Sequence, residues 1–245
     1  MEFNCQQLAQ IIDYALLGQT VSDRDVEEAC RAARHYGFAS VYVKPYAVAR
    51  AVSLLEGSSV AVGTVLSFPL GGDTTMVKLY ALEAALRDGA REFDLMTNLG
   101  AVKAGNWAYV AEETRAVVQT AAKVGGIVKV IVEAPLLSRD EKVRLARICA
   151  EAGADFVKTS SGFAGISATV KDVQILRGTV GVETGVKASG GIRTLAQLKA
   201  MVDAGADRIG TSVAVPIVDE CARQGGFVNL EGPHRLGFTG LALLR

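Results

Sequence analysis

Short apolar runs alternate with longer amphipathic segments eight times along the chain, and this order constrains the fold more than any other feature. The later runs are apolar throughout, as expected of parallel strands that are buried on both faces. The turn sequence Ala-Gly-Ala-Asp occurs at 152–155 and 204–207, and Asp88-Gly89-Ala90 is a weaker third copy. Each copy is typical of a helix end that turns into the next strand. Eight such units in 245 residues predict an α/β fold, a (β/α)8 TIM barrel with an N-terminal helix and a C-terminal extension.

The individual elements are predicted from hydrophobic period and from helix-end signals. Strands are predicted at 12–17, 39–43, 60–68, 91–96, 128–132, 155–158, 183–187 and 207–211. Helices are predicted at 4–11, 22–36, 46–55, 74–88, 106–123, 138–152, 168–178, 194–204 and from near 213. A doubly wound open sheet is the competing architecture, but the GxGxxG turn that it favours early in the chain is missing. No linker or composition shift interrupts the pattern, which predicts one domain over 1–245 with residues 224–245 outside the barrel repeat.

The composition narrows the class of partner. Half of the residues are hydrophobic, 21% are charged and the formal net charge is zero, which is typical of a globular protein. Balanced charge argues against a nucleic acid or a membrane surface as the main partner. No apolar run approaches the roughly 20 residues that span a bilayer. Residues 1–4 lack the basic and apolar regions of a signal peptide, so a cytoplasmic location is expected.

Cysteine and histidine usage points away from a metal centre. The four cysteines show no CxxC motif and no paired spacing. Cys30 and Cys149 lie on apolar helical faces and are predicted to be buried, reduced thiols. With two histidines and no cluster of His, Cys and acidic residues, the sequence argues against a zinc site.

A pair of lysines at the ends of two predicted strands is the main indication of chemistry. Lys158 ends one apolar run and Lys187 ends the next, and each leads into a loop of small residues. Neighbouring strands of a barrel lie about 4.8 Å apart, so the two ammonium groups should meet at the mouth where barrel enzymes bind substrate. Repulsion between them lowers the pKa of one lysine. A partly neutral lysine attacks a carbonyl carbon and forms a Schiff base.

Acidic residues end the two strands before this pair. Asp94 is predicted to transfer a proton or to hold a water or a substrate hydroxyl, and a salt bridge to a lysine is compatible with that role. Glu133 is assigned to a structural polar layer. Lys129, earlier on the same strand, is expected inside the barrel beside an acid. The alternative for the whole site is two structural lysines held in salt bridges to Asp94 and Glu133.

Glycine-rich loops after the last two strands predict a phosphate site. Gly190 and Gly191 follow the seventh strand, and Gly210 and Ser212 close the eighth just before a helix. The corresponding loops of TIM barrels, together with a helix N-terminus, often bind phosphate because backbone N–H groups approach the oxyanion. Tight turns without a ligand are the alternative interpretation.

At these residues the sequence resembles the deoxyribose-phosphate aldolase family. Residues 157–163, Val-Lys-Thr-Ser-Ser-Gly-Phe, are similar to the family's Schiff-base segment. Residues 185–194 are similar to its second-lysine and phosphate segment. Shorter similarities occur at 68–71, 92–94 and 205–212, and the resemblance covers roughly 8–215.

This resemblance implies a class I aldolase that needs neither metal nor cofactor. Such an enzyme cleaves 2-deoxy-D-ribose 5-phosphate reversibly to D-glyceraldehyde 3-phosphate and acetaldehyde. By matching position, Lys158 forms the imine, Lys187 tunes its pKa and Asp94 serves the proton relay. The phosphate-binding positions are Gly162, Gly190, Gly191, Gly210 and Ser212. The expected partner is a small phosphorylated sugar or aldehyde, and a homodimer is expected because helix surfaces of such barrels often pair.

The chain departs from the family pattern near the predicted mouth. Tyr14 and Ala15 stand where the family usually has His-Thr, so a hydroxyl near the substrate is missing. Tyr42 and Lys44 stand in a segment that is often Cys-Val-Asn-Pro. Either Tyr42 fills barrel space and Lys44 pairs with an acid, or both reshape the acceptor pocket or contact a different phosphorylated substrate. Val213 also replaces a serine.

One more departure lies at the end of the chain, and two rival functions fit the same residues. The chain ends Leu243-Leu244-Arg245, without the terminal tyrosine of some family members. The nearest rival function is a lysine aldolase of the same fold that acts on a different aldehyde or ketone phosphate. A rival of another class is a non-catalytic barrel that binds a sugar phosphate.

Overall fold

Eight parallel strands close into a barrel with helices on its outside in the computed structural model, which describes residues 2–230. Strands pair in chain order, and the last barrel strand returns to the first through Ile209 and Ile12. The (β/α)8 prediction is therefore confirmed. No helix among the described residues is long and apolar enough to cross a membrane. The predictions that concern 231–245, including the chain end at Leu243-Leu244-Arg245, lie outside the described residues.

The strands are β1 (Glu2–Asn4), β2 (Ile12–Leu16), β3 (Ser40–Val43), β4 (Ala61–Leu66), β5 (Glu92–Met96), β6 (Ile127–Ile131), β7 (Phe156–Lys158), β8 (Gly185–Ser189), β9 (Arg208–Thr211) and β10 (Phe227–Asn229). The helices are α1 (Cys5–Ala9), α2 (Asp23–Tyr36), α3 (Val48–Leu55), α4 (Thr75–Arg87), α5 (Leu99–Lys103), α6 (Trp107–Ala122), α7 (Arg139–Glu151), α8 (Val170–Val180), α9 (Leu195–Asp203) and α10 (Ala214–Arg223). Strands β2 to β9 form the barrel, and β1 pairs antiparallel with β10 outside it.

Two predicted boundaries are wrong for local reasons. The strand predicted to Phe68 ends at Leu66, because Ser67 takes a φ of 56° and leaves the extended region. The helix predicted at 4–11 is shortened to α1, whose start is set by the pairing of Glu2–Asn4 with β10. A short helix that was not predicted, α5, follows Asn98, because the Asn98 side chain accepts a hydrogen bond from the Ala101 N–H.

Capping side chains determine where several helices begin, and so they shape the loops at the strand ends. The helix start predicted at 138 is confirmed by a capping box, in which the Ser138 N–H donates to Glu141 and the Glu141 N–H donates back to Ser138. The same exchange joins Thr194 and Gln197 at the start of α9, directly after the glycine loop that follows β8. A cap of this kind contributes about 1 kcal/mol to stability.

The barrel interior is charged. Every second side chain of a strand points inward. On one interior layer, Lys129 Nζ lies 2.6 Å from both Asp13 Oδ2 and Glu92 Oε2. Arg208 Nη1 lies 3.0 Å from Asp13 Oδ1. The expectation that Lys129 lies inside the barrel and pairs with an acid is confirmed, and the layer forms a rigid base beneath the mouth.

The cysteines divide into two groups. Cys30 and Cys149 are buried free thiols, as the sequence predicted, and burial raises the pKa of Cys149 to about 12. Cys5 and Cys221 form a disulfide that joins α1 to α10. This bond was not predicted, because its partners are 216 residues apart in the sequence and no local spacing pairs them.

Candidate active site

A cavity of about 270 Å³ opens at the C-terminal ends of the barrel strands. It contains all eight residues that the sequence singled out for catalysis or phosphate binding, and it also contains others that the sequence analysis missed. The lining residues are Ala15, Leu17, Gly18, Tyr42, Asp94, Lys158, Ser161, Gly162, Phe163, Lys187, Ser189, Gly190, Gly191, Ile192, Arg193, Gly210, Thr211 and Ser212. The arrangement has a lysine-bearing inner end and a glycine-rich outer rim.

The two lysines converge on one carboxylate oxygen. Lys158 and Lys187 are direct partners in the register of β7 and β8, so their side chains enter the barrel side by side. Lys158 Nζ lies 2.6 Å from Asp94 Oδ2, and Lys187 Nζ lies 2.8 Å from the same atom. All three side chains are almost completely buried. The other oxygen, Asp94 Oδ1, is buried without a hydrogen-bond partner and is therefore available to a hydroxyl or a water.

The environment separates the protonation states of the two lysines. Burial, opposed by the attraction of Asp94 and assisted by the charge of Lys187, lowers the pKa of Lys158 to about 8. Burial also acts to lower the pKa of Lys187, but the carboxylates of Asp13 and Asp94 outweigh it and raise that pKa above its usual value. Lys187 is therefore a cation at neutral pH, while roughly a tenth of Lys158 is a free amine at pH 7 and about half of it at pH 8. Desolvation, more than the predicted repulsion, is the main cause of the lowered pKa.

Charge balance inside the barrel explains why Lys158 is the lysine that gives up its proton. Three carboxylates and four cationic side chains make up the connected network of the lumen. The carboxylates are Asp13, Glu92 and Asp94, and the cations are Lys129, Lys158, Lys187 and Arg208. One cation is therefore in excess, and Lys158 has one carboxylate partner where Lys187 has two. A buried unbalanced charge is costly, so Lys158 loses its proton more readily than a lysine in water.

Asp13 is a site residue that sequence reasoning did not assign. Its Oδ2 lies 2.7 Å from Lys187 Nζ, and the burial that would raise its pKa is outweighed by the charges of Lys129, Lys187 and Arg208. Asp13 thus links the catalytic layer to the charged layer below. The sequence could have indicated this, because Asp13 lies two residues before Ala15 and alternate side chains of a strand share a face, here the inner face of β2.

The glycine rim is shaped for a ligand that approaches the backbone closely. Gly162, Gly190 and Gly191 all have positive φ, at 84°, 96° and 80°. A Cβ atom on Gly190 would lie 2.6 Å from Ser160 Oγ, and one on Gly191 would collide with Ser167. Side chains are thus excluded from the rim for both steric and conformational reasons.

The N-terminus of α10 also faces this rim. Its N-cap residue, Val213, makes no side-chain capping bond, and Ser212 immediately before it lines the cavity. The first N–H groups of such a helix carry partial positive charge and lack helical partners. Arg193 lines the same part of the cavity. This end of the site is therefore suited to an anion.

Glu133 lies outside the cavity and has a structural contact, in agreement with the layer assignment. It is buried, adopts a φ of 51°, and accepts a hydrogen bond of 3.1 Å from the Ser161 N–H. Among the described residues no ion pair joins Glu133 to either lysine. The carboxylate instead holds Ser161, the residue directly before Gly162.

Of the four departures near the mouth, two line the cavity and two do not. Ala15 and Tyr42 line the cavity, and Tyr42 is buried inside the barrel. Tyr14 points outward, where its ring meets Phe38 edge-on. The prediction that Lys44 pairs with an acid is wrong.

Lys44 instead holds a loop by backbone contacts. Its Nζ donates to the carbonyl oxygens of Gln19 and Val21, at 3.2 and 3.1 Å. These two residues belong to the loop after β2, whose start, Leu17 and Gly18, lines the cavity. Lys44 therefore affects the site through loop position and not through direct contact.

The fold and the lysine site together define a (β/α)8 enzyme of the aldolase class. Residues 8–245 match the model of the DeoC/LacD family of aldolases, and the chain belongs to that family.

Relatives and solved structures agree with this assignment. The chain is 47% identical to the deoxyribose-phosphate aldolase of Geobacillus sp. (strain WCH70) over 86% of its own length and 95% of the relative's. It is 47% identical to the enzyme of the same name from Coprothermobacter proteolyticus, over 92% of this chain and all of the relative. The deoxyribose phosphate aldolase of Aeropyrum pernix, described as a tetramer, superposes with a TM-score of 0.84 at 34% identity, covering 90% of this chain and 93% of that one.

Proposed function

We propose that this protein cleaves 2-deoxy-D-ribose 5-phosphate reversibly to D-glyceraldehyde 3-phosphate and acetaldehyde through an imine on Lys158. The observation that carries the proposal is the pair of lysines that share Asp94 Oδ2 inside the cavity, with Lys158 poised to lose its proton and Lys187 held as a cation. The names of the relatives supply the substrate. The geometry supports the reaction type.

The chemistry begins with the free amine of Lys158. Its nitrogen adds to the C1 aldehyde, and loss of water gives a protonated imine. A base removes the proton of the C3 hydroxyl, the C2–C3 bond breaks, and D-glyceraldehyde 3-phosphate leaves while the electron pair moves into the imine to give an enamine. Protonation of the enamine at C2 and addition of water release acetaldehyde and the lysine. The unpartnered Asp94 Oδ1 is assigned to the proton transfers, because Asp94 is ionised beside two lysines.

The glycine rim fixes the other end of the substrate. Backbone N–H groups near Gly162, Gly190 and Gly191, together with the α10 N-terminus after Ser212, are assigned to the phosphate. Gly210 completes this rim. Binding energy at the phosphate then holds C1 near Lys158, which converts the attack into an effectively unimolecular step.

A second substrate is favoured by one specific observation. Ala15 and Tyr42, which depart from the family pattern, both line the cavity. A lysine aldolase of the same type that acts on another aldehyde or ketone phosphate would use the same nucleophile. A barrel that only binds a sugar phosphate would use the same rim but would form no covalent bond.

Borohydride trapping separates these functions. The protein is incubated with 2-deoxy-D-ribose 5-phosphate and sodium borohydride, and the modified peptide is identified by mass spectrometry. We expect a reduced two-carbon or five-carbon adduct on Lys158 and release of D-glyceraldehyde 3-phosphate. Tight binding without an adduct would support the binding barrel, and an adduct that forms only with other carbonyl phosphates would support the second substrate. A parallel assay with a metal chelator should show undiminished turnover, because the imine is the proposed electron sink.

We further propose that the protein is cytoplasmic and forms a homodimer. Three large apolar side chains on the loop after β4 and on α4, those of Leu70, Met76 and Tyr80, are 83%, 74% and 68% exposed, which supports a partner copy on this face. Light scattering of Tyr80→Lys against the parent protein tests the contact, and a dimer that persists in the variant would contradict it.

A further inference from the structure

Tyr42 forms the floor between the catalytic lysines and the charged layer beneath them. Its ring is 1% exposed and lines the cavity. Lys187 Nζ lies 3.9 Å from the ring centroid, and Lys129 Nζ lies 5.1 Å from it. Its hydroxyl donates to Glu92 Oε2 at 3.3 Å. The ring thus contacts Lys187 above it, and the hydroxyl forms a hydrogen bond with Glu92 in the charged layer below.

Gly63 is the structural complement of this ring. It is the direct partner of Tyr42 in the register of β3 and β4. A Cβ atom on Gly63 would lie 2.5 Å from the Tyr42 Cζ atom, so any side chain there would displace the ring. Gly63 does not have a positive φ, so its backbone conformation is open to other residues and the ring alone excludes them. The two residues therefore act as a matched pair.

We propose that Tyr42, seated on Gly63, is a positioning residue that keeps water out of the space beneath the lysine pair and so keeps the Lys158 amine available at neutral pH. The aromatic face also supports the Lys187 ammonium by a cation–π contact. Only the use of the Lys158 amine in turnover rests on the proposed function, and the protonation of Lys158 can be measured without it. It assigns a role to a residue that departs from the family pattern.

The physical basis is desolvation. The charged groups that act on Lys158 are Asp94, Lys187 and Asp13. Lys187 itself is faced by groups from six other strands, which are Asp13, Tyr42, Asp94, Lys129, Lys158 and its register partner Arg208. Because burial is the main cause of the lowered pKa of Lys158, water admitted beneath the pair would stabilise its ammonium form. Removing the ring should therefore raise the pH at which Lys158 becomes reactive.

Cyanate labelling measures this property without any substrate. The neutral lysine nitrogen adds to the carbon of isocyanic acid to give a carbamyl group, with no leaving group. Mass spectrometry measures how much of the peptide that contains Lys158 is labelled, at pH values from about 6 to about 10. Each variant is compared with the parent protein at the same pH, because the concentration of isocyanic acid also depends on pH. The variants are Tyr42→Leu, which removes the ring, and Tyr42→Phe, which keeps it. Tyr14→Leu is the matched control, because Tyr14 is an aromatic residue of the neighbouring strand that faces outward.

We expect Tyr42→Leu to move the labelling midpoint upward by about one pH unit. Tyr42→Phe and Tyr14→Leu should leave it unchanged. A Tyr42→Leu midpoint equal to that of the parent protein would overturn the proposal, and so would an equal shift in Tyr42→Phe, which would assign the effect to the hydroxyl. Circular dichroism verifies that each variant is folded.

Gly63→Ala provides a second route if Tyr42→Leu fails to fold. In the parent background the added methyl group should displace the ring and raise the midpoint in the same direction. In a Tyr42→Leu background the same methyl group should be tolerated, so the two effects should be strongly non-additive. Additive effects would contradict the matched pair. Because labelling needs no sugar phosphate, a protein that fails to cleave 2-deoxy-D-ribose 5-phosphate but shows the expected midpoints would overturn the proposed function alone.

Discussion

At the scale of single residues, the site depends on an excess of one positive charge. Lys158 is the cation with one carboxylate partner, and Lys187 is the cation with two. The same residue type on neighbouring strands therefore shows pKa shifts of opposite direction. Substituting each lysine in the same way should reveal this asymmetry.

Lys158→Met should abolish turnover and raise the melting temperature at pH 7, because it removes the excess buried charge. Lys187→Met should also lower turnover, by about 10²-fold or more, but it should lower the melting temperature because Asp13 and Asp94 each lose a partner. Calorimetry and a coupled assay for D-glyceraldehyde 3-phosphate measure the two effects. Lys199→Met, at an exposed pair with Asp203, is the control and should change neither. Equal changes in melting temperature for both lumen variants would contradict the charge argument.

The activity of the parent protein should depend on pH through Lys158. The nucleophile is the neutral amine, so kcat/KM should rise as the pH increases through about 8 and then level off. Stability should change in the same direction. The folded-state pKa lies below the ordinary value of 10.5, so the unfolded chain binds more protons between about 8 and 10.5 and the contribution of Lys158 to stability increases with pH over that interval. A pH–rate profile that falls through pH 8 would exclude Lys158 as the nucleophile.

At the scale of elements, the loops after β7, β8 and β9 separate two tasks. The strands fix the lysines, and the glycine loops form the rim that we assign to the phosphate. Ser160 Oγ donates to the Ser189 carbonyl and Ser189 Oγ donates to the Ser160 carbonyl, both at 2.5 Å. These reciprocal bonds tie the first two loops together, so a change in one loop should move the rim as a unit.

Gly190→Ala should weaken phosphate binding with little effect on the lysine chemistry. The variant would strain a φ of 96° and place its Cβ against Ser160 Oγ, at a cost of about 1–3 kcal/mol in stability. We expect KM for 2-deoxy-D-ribose 5-phosphate to rise about tenfold or more, while turnover of unphosphorylated 2-deoxy-D-ribose stays near the parent value. Gly178→Ala in α8, where an added Cβ meets nothing within 4 Å, is the control and should be neutral or stabilising. Equal losses with both sugars would contradict the assignment of the rim to phosphate.

At the scale of the whole molecule, two contacts join the beginning of the described chain to its end. The β1–β10 pair and the Cys5–Cys221 disulfide both lie outside the barrel. The disulfide also fixes α10, whose N-cap residue Val213 directly follows the cavity-lining residues Thr211 and Ser212. In the chain-entropy model, closing a loop of 216 residues stabilises a protein by about 5 kcal/mol.

Reduction should therefore lower the melting temperature by about 10 °C or more. Thermal unfolding with and without a reductant tests this, and alkylation with mass spectrometry counts the free thiols. Cys5→Ser should melt as low as the reduced parent protein and should not respond to the reductant. A parent melting temperature that is insensitive to the reductant would mean that the bond contributes nothing to the stability of the fold.

Local sequence information determined the order of elements and the positions of the chemical groups. Alternating apolar runs predicted the barrel, capping residues such as Ser138 predicted a helix start, and Lys158 and Lys187 were placed at strand ends. Glycine at 190 and 191 predicted the rim, because a residue that needs positive φ reveals itself within its own segment. These features depend on interactions over a few residues, which a single sequence displays directly.

The tertiary structure alone decided which lysine has the lowered pKa, what Asp13 and Tyr42 contact, and that Cys5 meets Cys221. A pKa in a closed barrel depends on burial and on the sum of charges from strands that are distant in the chain. Asp13 and Lys187 are far apart in sequence, yet their side-chain atoms lie 2.7 Å apart once β9 pairs with β2. Coulomb and desolvation energies follow distance in space, and the closing of the barrel sets that distance.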